Sequence, residues 1–392
     1  MTNHNIQSLG RQVPSDWKIQ RLGDLGEVRG RVGWKGYTKK DLVQSGALAI
    51  GGRQMGSNCR LDLSEPVHLS QAKFVESPEI AIKRDDILIA QRGTLGKIAL
   101  VDQEIGDATI NPSLVIFRPR LICSVYATYF LASTAGQLQI EEATSKTGVP
   151  MISQKQIENM LIARPSCERE EALIAEVLND IEHQLSALEL ELDKKSQVKQ
   201  AAMQKLLTGK RRLPGFEGEW EVKRLGDVAQ IKKGQLITSS TLMPGDVPVI
   251  AGGKQPAYFH STANRLGRTI TISASGASAG YIALYNGPIF ASDCSTIGEL
   301  ESYCLDFVYF QLQRNQQAIY KAQTGGAQPH IHAKDLNPIA FSFPTLAEQT
   351  AIATVLSDID TELAILESRR DKARVLKQGM MQQLLTGKIR LR

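Results

Sequence analysis

Residues 177–210 read VLNDIEHQLSALELELDKKSQVKQAAMQKLLTGK, and residues 355–388 read VLSDIDTELAILESRRDKARVLKQGMMQQLLTGK, in a constant register of 178 residues. Each stretch continues a segment that lacks Gly and Pro for about 40 residues, save Gly379, and each ends at Thr-Gly-Lys. Ser166 and Thr345 are available as N-caps, with Glu168 to Glu171 and Glu348 in the first turns and Gly209 and Gly387 suited to the C-caps. The pattern predicts two long helices, each about 60 Å at the usual rise per residue. Apolar residues recur at heptad spacing. Leu178, Ile181, Leu185 and Leu188 form the seam of the first helix, and Leu356, Ile359, Leu363 and Leu366 that of the second. Such a seam predicts coiled-coil packing, and its occurrence twice in one chain favours intramolecular, antiparallel pairing with approximate two-fold symmetry. Lys199 and Lys377 fall within the seam, where a basic residue weakens packing but fixes register.

The duplication extends beyond the helices. Asp16-Trp17-Lys18-Ile19-Gln20-Arg21-Leu22-Gly23-Asp24 returns as Glu219-Trp220-Glu221-Val222-Lys223-Arg224-Leu225-Gly226-Asp227. Gly51-Gly52-Arg53-Gln54 matches Gly252-Gly253-Lys254-Gln255, and Gly93 to Leu100 aligns with Gly276 to Leu284. Pro150-Met151-Ile152 near the end of the first segment matches Pro329-His330-Ile331 near the end of the second. Both globular segments, about 14–165 and 217–345, alternate short apolar runs such as Ile87-Leu88-Ile89-Ala90 with Gly, Ser, Asn and Pro clusters, which is strand-and-turn punctuation. The expected fold class is α+β: two similar mixed globules and two long helices. The expected divisions are 1–165, 166–210, 211–345 and 346–392. Between the shared anchors the globules diverge, which suits two versions of one reader.

Composition is permissive. The 392 residues carry 46 basic and 41 acidic side chains, a net charge of +5, which allows a nucleic-acid partner without requiring one. Five cysteines without a CxxC pair suggest reduced thiols in a cytoplasmic protein. No apolar run approaches the roughly 20 residues that span a bilayer, and the N-terminus has no apolar signal-peptide core.

Catalytic motifs fail on their context. Gly276-Ala277-Ser278-Ala279-Gly280 is a literal G-x-S-x-G, with Asp293 and His330 following in the order of a serine-hydrolase triad. Its first-half counterpart has no serine, and a strand pattern rather than a helix follows it, so the glycines read as turn residues. His330-Ile331-His332 lacks the further ligands a metal needs, and the Gly-Lys pairs lack the rest of a phosphate-binding loop. The basic residues are more informative. Arg31 and Lys35 lie in a glycine-broken segment with Trp34 and Tyr37, matched by Lys232 and Lys233 in the second half. Arg53, Gln54, Lys254 and Gln255 follow paired glycines and are expected at exposed loop tips, and Arg92 precedes Gly93. These are the candidate DNA contacts, since Arg and Lys engage phosphates or guanine and Gln pairs with adenine.

Taken in order, Leu213-Pro214-Gly215-Phe216-Glu217-Gly218-Glu219-Trp220, Lys223-Arg224-Leu225-Gly226-Asp227, Gln328-Pro329-His330-Ile331, Glu348-Gln349 and the two Leu-Leu-Thr-Gly-Lys endings give the chain a close resemblance to specificity subunits of type I restriction-modification enzymes. The resemblance covers nearly the whole chain; Gly148-Val149-Pro150-Met151 departs from the fuller Gln-Pro-His of the second half. It implies two target recognition domains, each reading one half of a bipartite, asymmetric DNA sequence, held at a set separation by the helices. It implies docking of two modification subunits that methylate adenine N6 with S-adenosylmethionine, and of restriction subunits that use ATP and Mg. It implies no active site and no cofactor in this chain. A serine hydrolase built on Ser278 and a coiled-coil interaction protein without DNA binding are the alternatives.

Overall fold

The computed structural model describes residues 13–31, 37–145, 149–238, 240–324 and 329–391. The chain forms two compact units, one of residues 1–189 with 368–392 and one of residues 190–367. This division falls inside both long helices, not at their starts. Each unit therefore contains a globule, the first half of the helix that follows it, and the second half of the other helix.

In the first unit, β1 (Trp17–Arg21) pairs antiparallel with β10 (Leu161–Pro165). One sheet has the order β2-β9-β6-β7, from Gly26–Arg29, Leu114–Pro119, Ile87–Ala90 and Ile98–Leu100. The other has the order β3-β5-β4-β8, from Leu42–Val43, His68–Leu69, Ala47–Ile50 and Ala108–Ile110, with β4 and β8 parallel. The unbroken apolar run of β6 follows from burial on both faces. Ile87 and Ile89 join Tyr126, Tyr129 and Phe130 in one core, whereas Leu88 and Ala90 join Ile50 and Ile110 of the second sheet in another. The three aromatics come from α1 (Ser124–Ala132), which is followed by α2 (Thr134–Ala143).

The second unit repeats this plan with a smaller second sheet. β11 (Glu221–Arg224) pairs with β19 (Ala340–Phe343). The main sheet is β12-β18-β15-β16, from Ile231–Lys233, Cys294–Gly298, Thr269–Ser273 and Ile282–Tyr285. The smaller one is β14-β13-β17, from Tyr258–His260, Val247–Ile250 and Phe290–Ala291, again with a parallel pair, β13 and β17. Here β15 reads Thr-Ile-Thr-Ile-Ser. Ile270 and Ile272 pack with Phe307 and Phe310, and buried Thr269, Thr271 and Ser273 alternate with them.

The long helices run Glu168–Leu206 (central) and Leu346–Leu384 (distal). Within each unit their halves pair antiparallel. The first unit has ion pairs Lys377–Glu182 and Arg374–Glu189; the second has Lys195–Glu362 and Lys199–Asp360. Leu178, Ile181, Leu185, Leu356 and Leu366 are buried, and Leu188, Ile359 and Leu363 are half-buried. The two seam lysines thus have carboxylate partners at repeat-equivalent places, Glu182 and Asp360. Gly209 and Gly387 adopt left-handed φ of 68° and 70°, closing both helices by the same wide turn, Arg211 N to Lys205 O and Ile389 N to Gln383 O. At the other ends the helices differ: Thr345 Oγ1 accepts from Glu348 N at 3.4 Å, whereas Ser166 Oγ donates instead to Asp16 O at 2.5 Å. Ser166 is therefore not the cap that its position suggests.

Each helix end is clasped the same way. In the first unit Arg390 binds Glu170 at 2.6 Å and lies 5.9 Å from the Trp17 ring; in the second Arg212 binds Glu348 at 2.5 Å and lies 5.6 Å from the Trp220 ring. The arginine that closes one helix thus holds the start of the other.

Candidate nucleic-acid interface

In the first unit, the loops after β4, β6 and β8 converge. Asn111 N donates to Ile50 O at 2.8 Å, Ile152 N to Gln91 O at 3.0 Å and Gly96 N to Ala90 O at 3.2 Å. A Cβ on Gly52 would meet Thr94 Oγ1 at 2.5 Å, so the loop after β4 lies directly against the loop after β6. Arg31 Nε donates to Ile110 O at 3.2 Å, which brings the segment after β2 to the same end.

The second unit makes the corresponding bonds one for one. Ser292 N donates to Ile250 O at 2.8 Å, Ile331 N to Ala274 O at 3.0 Å and Gly280 N to Ser273 O at 2.7 Å. Gly234 N and Gln235 N, after β12, reach Cys294 O and Ala291 O, each at 2.9 Å. Gly93, Gly96, Gly276 and Gly280 all have φ between 76° and 80°, the left-handed turn geometry both hairpins need.

On this shared backbone the side chains differ. Arg92, bridged to Met151, stands where Ser275, bridged to His330, stands in the second unit. Ser275 Oγ also donates to Asp293. Arg53 and Arg92 are exposed, as are Lys232, Lys233, Lys254 and Gln255. Lys254 Nζ sits 5.7 Å from the Tyr281 ring centroid. Arg31 is half-buried, 5.8 Å from the Tyr37 ring, and burial lowers the pKa of its guanidinium. Lys35, like Trp34, Gly148 and Gln328, lies outside the described residues.

Gln54 is a correction. It is only 6% exposed; its Oε1 accepts from Gly51 N at 3.1 Å and its Nε2 donates to Glu65 O at 3.1 Å. Both ends of the amide are committed to holding the loop, which presents Arg53 and leaves Gln54 inside. Its partner Gln255 is exposed, so the matching sequence conceals opposite environments.

Two exposed aromatics escape a reading of the sequence. Tyr258 and Phe259 on β14 are 56% and 57% exposed beside the Lys254 loop. No charge or glycine signal marked them, because strand aromatics ordinarily read as core. His330 also lies at this end, its ring 6.1 Å from that of His332. Ser278 lies in a 3₁₀ turn followed by β16, without the helix that follows a nucleophile elbow, and Asp293 is engaged by Ser275.

The type I restriction modification DNA specificity domain profile matches residues 14–200 and again 217–374. The chain belongs to this family. It is a specificity component, with DNA sequence specificity as its role, and such subunits are the non-catalytic part of the restriction-modification complex. Along 98% of its length it is 23% identical to the type I restriction enzyme MjaVIII specificity subunit of Methanocaldococcus jannaschii, covering 95% of that protein. Over 41% of this chain and 35% of that protein, it is 25% identical to the EcoDI specificity subunit of Escherichia coli. The crystal structure of a type I restriction-modification S subunit from M. genitalium has the same fold, with TM-score 0.71 and 16% identity over 95% of this chain and 96% of that one. Among the described residues, no helix is long and apolar enough to cross a membrane.

Proposed function

We propose that each unit reads one half of a bipartite, asymmetric DNA sequence through its converged loops. The observation that carries this reading is the repeated hydrogen-bond frame bearing different side chains. A reader duplicated for one sequence would keep its contacts, whereas here Arg92 is replaced by Ser275 and Met151 by His330. Arg53 and Arg92 in the first unit and Lys254, Gln255, Lys232 and Lys233 in the second are the candidate contacts; Arg31 acts mainly by tying the end of β2 to Ile110. Arginine and lysine on exposed loops supply phosphate neutralisation as well as base contacts, so affinity falls with salt.

The long helices dock two modification subunits, which methylate adenine N6 with S-adenosylmethionine. ATP- and Mg-dependent restriction subunits join through them. This chain itself supplies no cofactor site. Sequencing N6-methyladenine in cells that carry the chain and its modification partner tests the reading: a split motif with two different halves is expected, and a continuous or palindromic motif would contradict it.

A further inference from the structure

The most closely repeated part of the globules is not at the DNA-facing loops. Arg21-Leu22-Gly23-Asp24 and Arg224-Leu225-Gly226-Asp227 occupy the same place in the two units. Packing explains half of each motif. Leu22 and Leu225 are buried in the cores. A Cβ on Gly23 would meet Glu158 at 3.2 Å, and one on Gly226 would meet Asn337 at 2.9 Å. Both glycines thus let the strand-to-helix corner approach a short helix, α3 (Gln154–Glu158) in the first unit and α4 (Ala333–Leu336) with its C-terminal flank in the second.

Packing explains neither the arginine nor the aspartate. Arg21, Asp24, Arg224 and Asp227 are exposed, and none of the four makes a side-chain hydrogen bond or ion pair among the described residues. Arg21 and Asp24 are opposite charges three residues apart, yet they do not pair with each other. A third group joins them from the neighbouring short helix, Lys155 or Lys334, both exposed. Among the described residues Lys334 has no partner, and Lys155 reaches Glu158 at 2.9 Å. In the first unit Arg21, Asp24 and Lys155 line one open cleft of about 510 Å³ with Glu27, Arg29 and Glu158. The surrounding acids are not kept: Gln230 and Asn337 stand where Glu27 and Glu158 do. What recurs is the set of one arginine, one aspartate and one lysine.

We propose that this triad is a protein-docking surface, and that each unit uses it to hold one copy of the same modification subunit. This inference rests on the reading of two identical docked subunits. Two equal partners require two equal surfaces, and here the arginine, aspartate and lysine recur at matching places of both globules while the neighbouring Glu27 and Glu158 do not. DNA is the less favoured occupant because Asp24 and Asp227 would face a phosphate backbone, whereas a phosphate-tracking groove gains from cations alone. The complementary partner segment presents carboxylates to the arginine and lysine and a basic group to the aspartate. Such pairs set specificity and register at an interface, and placing like charges opposite one another is strongly unfavourable.

The test is native mass spectrometry of the full chain with its modification subunit, comparing wild type, R21E/K155E, R224E/K334E and all four substitutions together. The expected copy numbers are two, one, one and none, with each reversal weakening its own docking event on the order of 100-fold. D24K and D227K, measured alongside, should weaken docking in the same unit-specific way. Unchanged unfolding midpoints would show that the exposed substitutions spare the fold. Two copies retained at unchanged affinity in every variant would overturn the proposal. So would retained docking with a loss of salt-dependent duplex binding, which would assign the surface to DNA. A wild-type chain carrying one copy would contradict the two-subunit reading; the docking assignment would then be sustained if either reversal releases that copy, and overturned if neither does.

Discussion

The two units solve the same folding problem with different chemistry, and the contrast is sharpest at Glu171 and Gln349. Both side chains accept a hydrogen bond from the backbone amide that opens the next helix, Cys123 N at 2.7 Å and Cys304 N at 3.0 Å. Gln349 does so without charge. Glu171 is 3% exposed, and burial pushes its carboxyl pKa upward; the Cys123 amide and Arg164, 2.7 Å away, pull it down. Where Arg164 stands, the second unit has Phe343, a core aromatic. A buried ion pair in one copy is thus an amide and an aromatic ring in the other. The lesson is that the backbone contact is the shared requirement, and charge is one of two ways to meet it.

Exchanging the two solutions tests this contrast most severely. Arg164→Phe alone leaves a buried carboxylate without its cation and should cost about 3 kcal/mol of unfolding stability near neutral pH. Adding Glu171→Gln should recover most of the loss; an equal or larger loss in the double variant would show that the solutions are not interchangeable. The pH dependence has a definite sign. A carboxyl whose folded pKa lies above its unfolded value contributes stability below the unfolded pKa and loses it as pH rises through the folded pKa. Glu171→Gln should therefore flatten the fall in stability that sets in as pH rises above the unfolded carboxyl pKa of about 4, checked by urea unfolding at each pH.

The seam lysines give the next comparison. Lys377 faces Glu182, whose side chain is 2% exposed, while Lys199 faces Asp360 at 35%. Lys377→Met should cost about 3 kcal/mol because the carboxylate it leaves is buried. Lys199→Met should cost about 1 kcal/mol or less because water screens its partner. Equal losses in chemical unfolding would break the distinction.

Gln54 and Gln255 sharpen it further. Gln54→Ala should destabilise the first unit by about 1–3 kcal/mol, through the orphaned Gly51 amide and Glu65 carbonyl, and loosen one half of the motif only as a consequence. Gln255→Ala should leave the unfolding midpoint unchanged and alter DNA binding alone. Smallest of all, Arg53→Ala and Lys254→Ala should each lower the salt slope of DNA binding by about one if they touch phosphate. A base contact would instead relax one position of one half-site, by about 1–3 kcal/mol. Relaxation of both half-sites by one substitution would contradict the division of labour.

Much of this architecture was legible because repetition does in sequence what symmetry does in space. The heptads placed the long helices, and the echoes placed the converging loops. Burial was less legible. Gln54 and Gln255 share a local sequence, but only the first has Glu65 O within reach, a contact made by a residue 11 positions away. Tyr258 and Phe259 look like core residues in sequence because nothing there says that β14 lies at a sheet edge. The clasps of Arg212 and Arg390 were invisible for the same reason: each joins residues far apart in the chain, and no local pattern announces them.

The central claim is that shared backbone and divergent side chains make two independent readers. It is tested most directly by replacing residues 14–165 with the corresponding segment of another family member and sequencing the methylated adenines made with the modification partner. The account predicts that one half of the split motif changes and the other is retained. A motif that changes in both halves, or in neither, would contradict it.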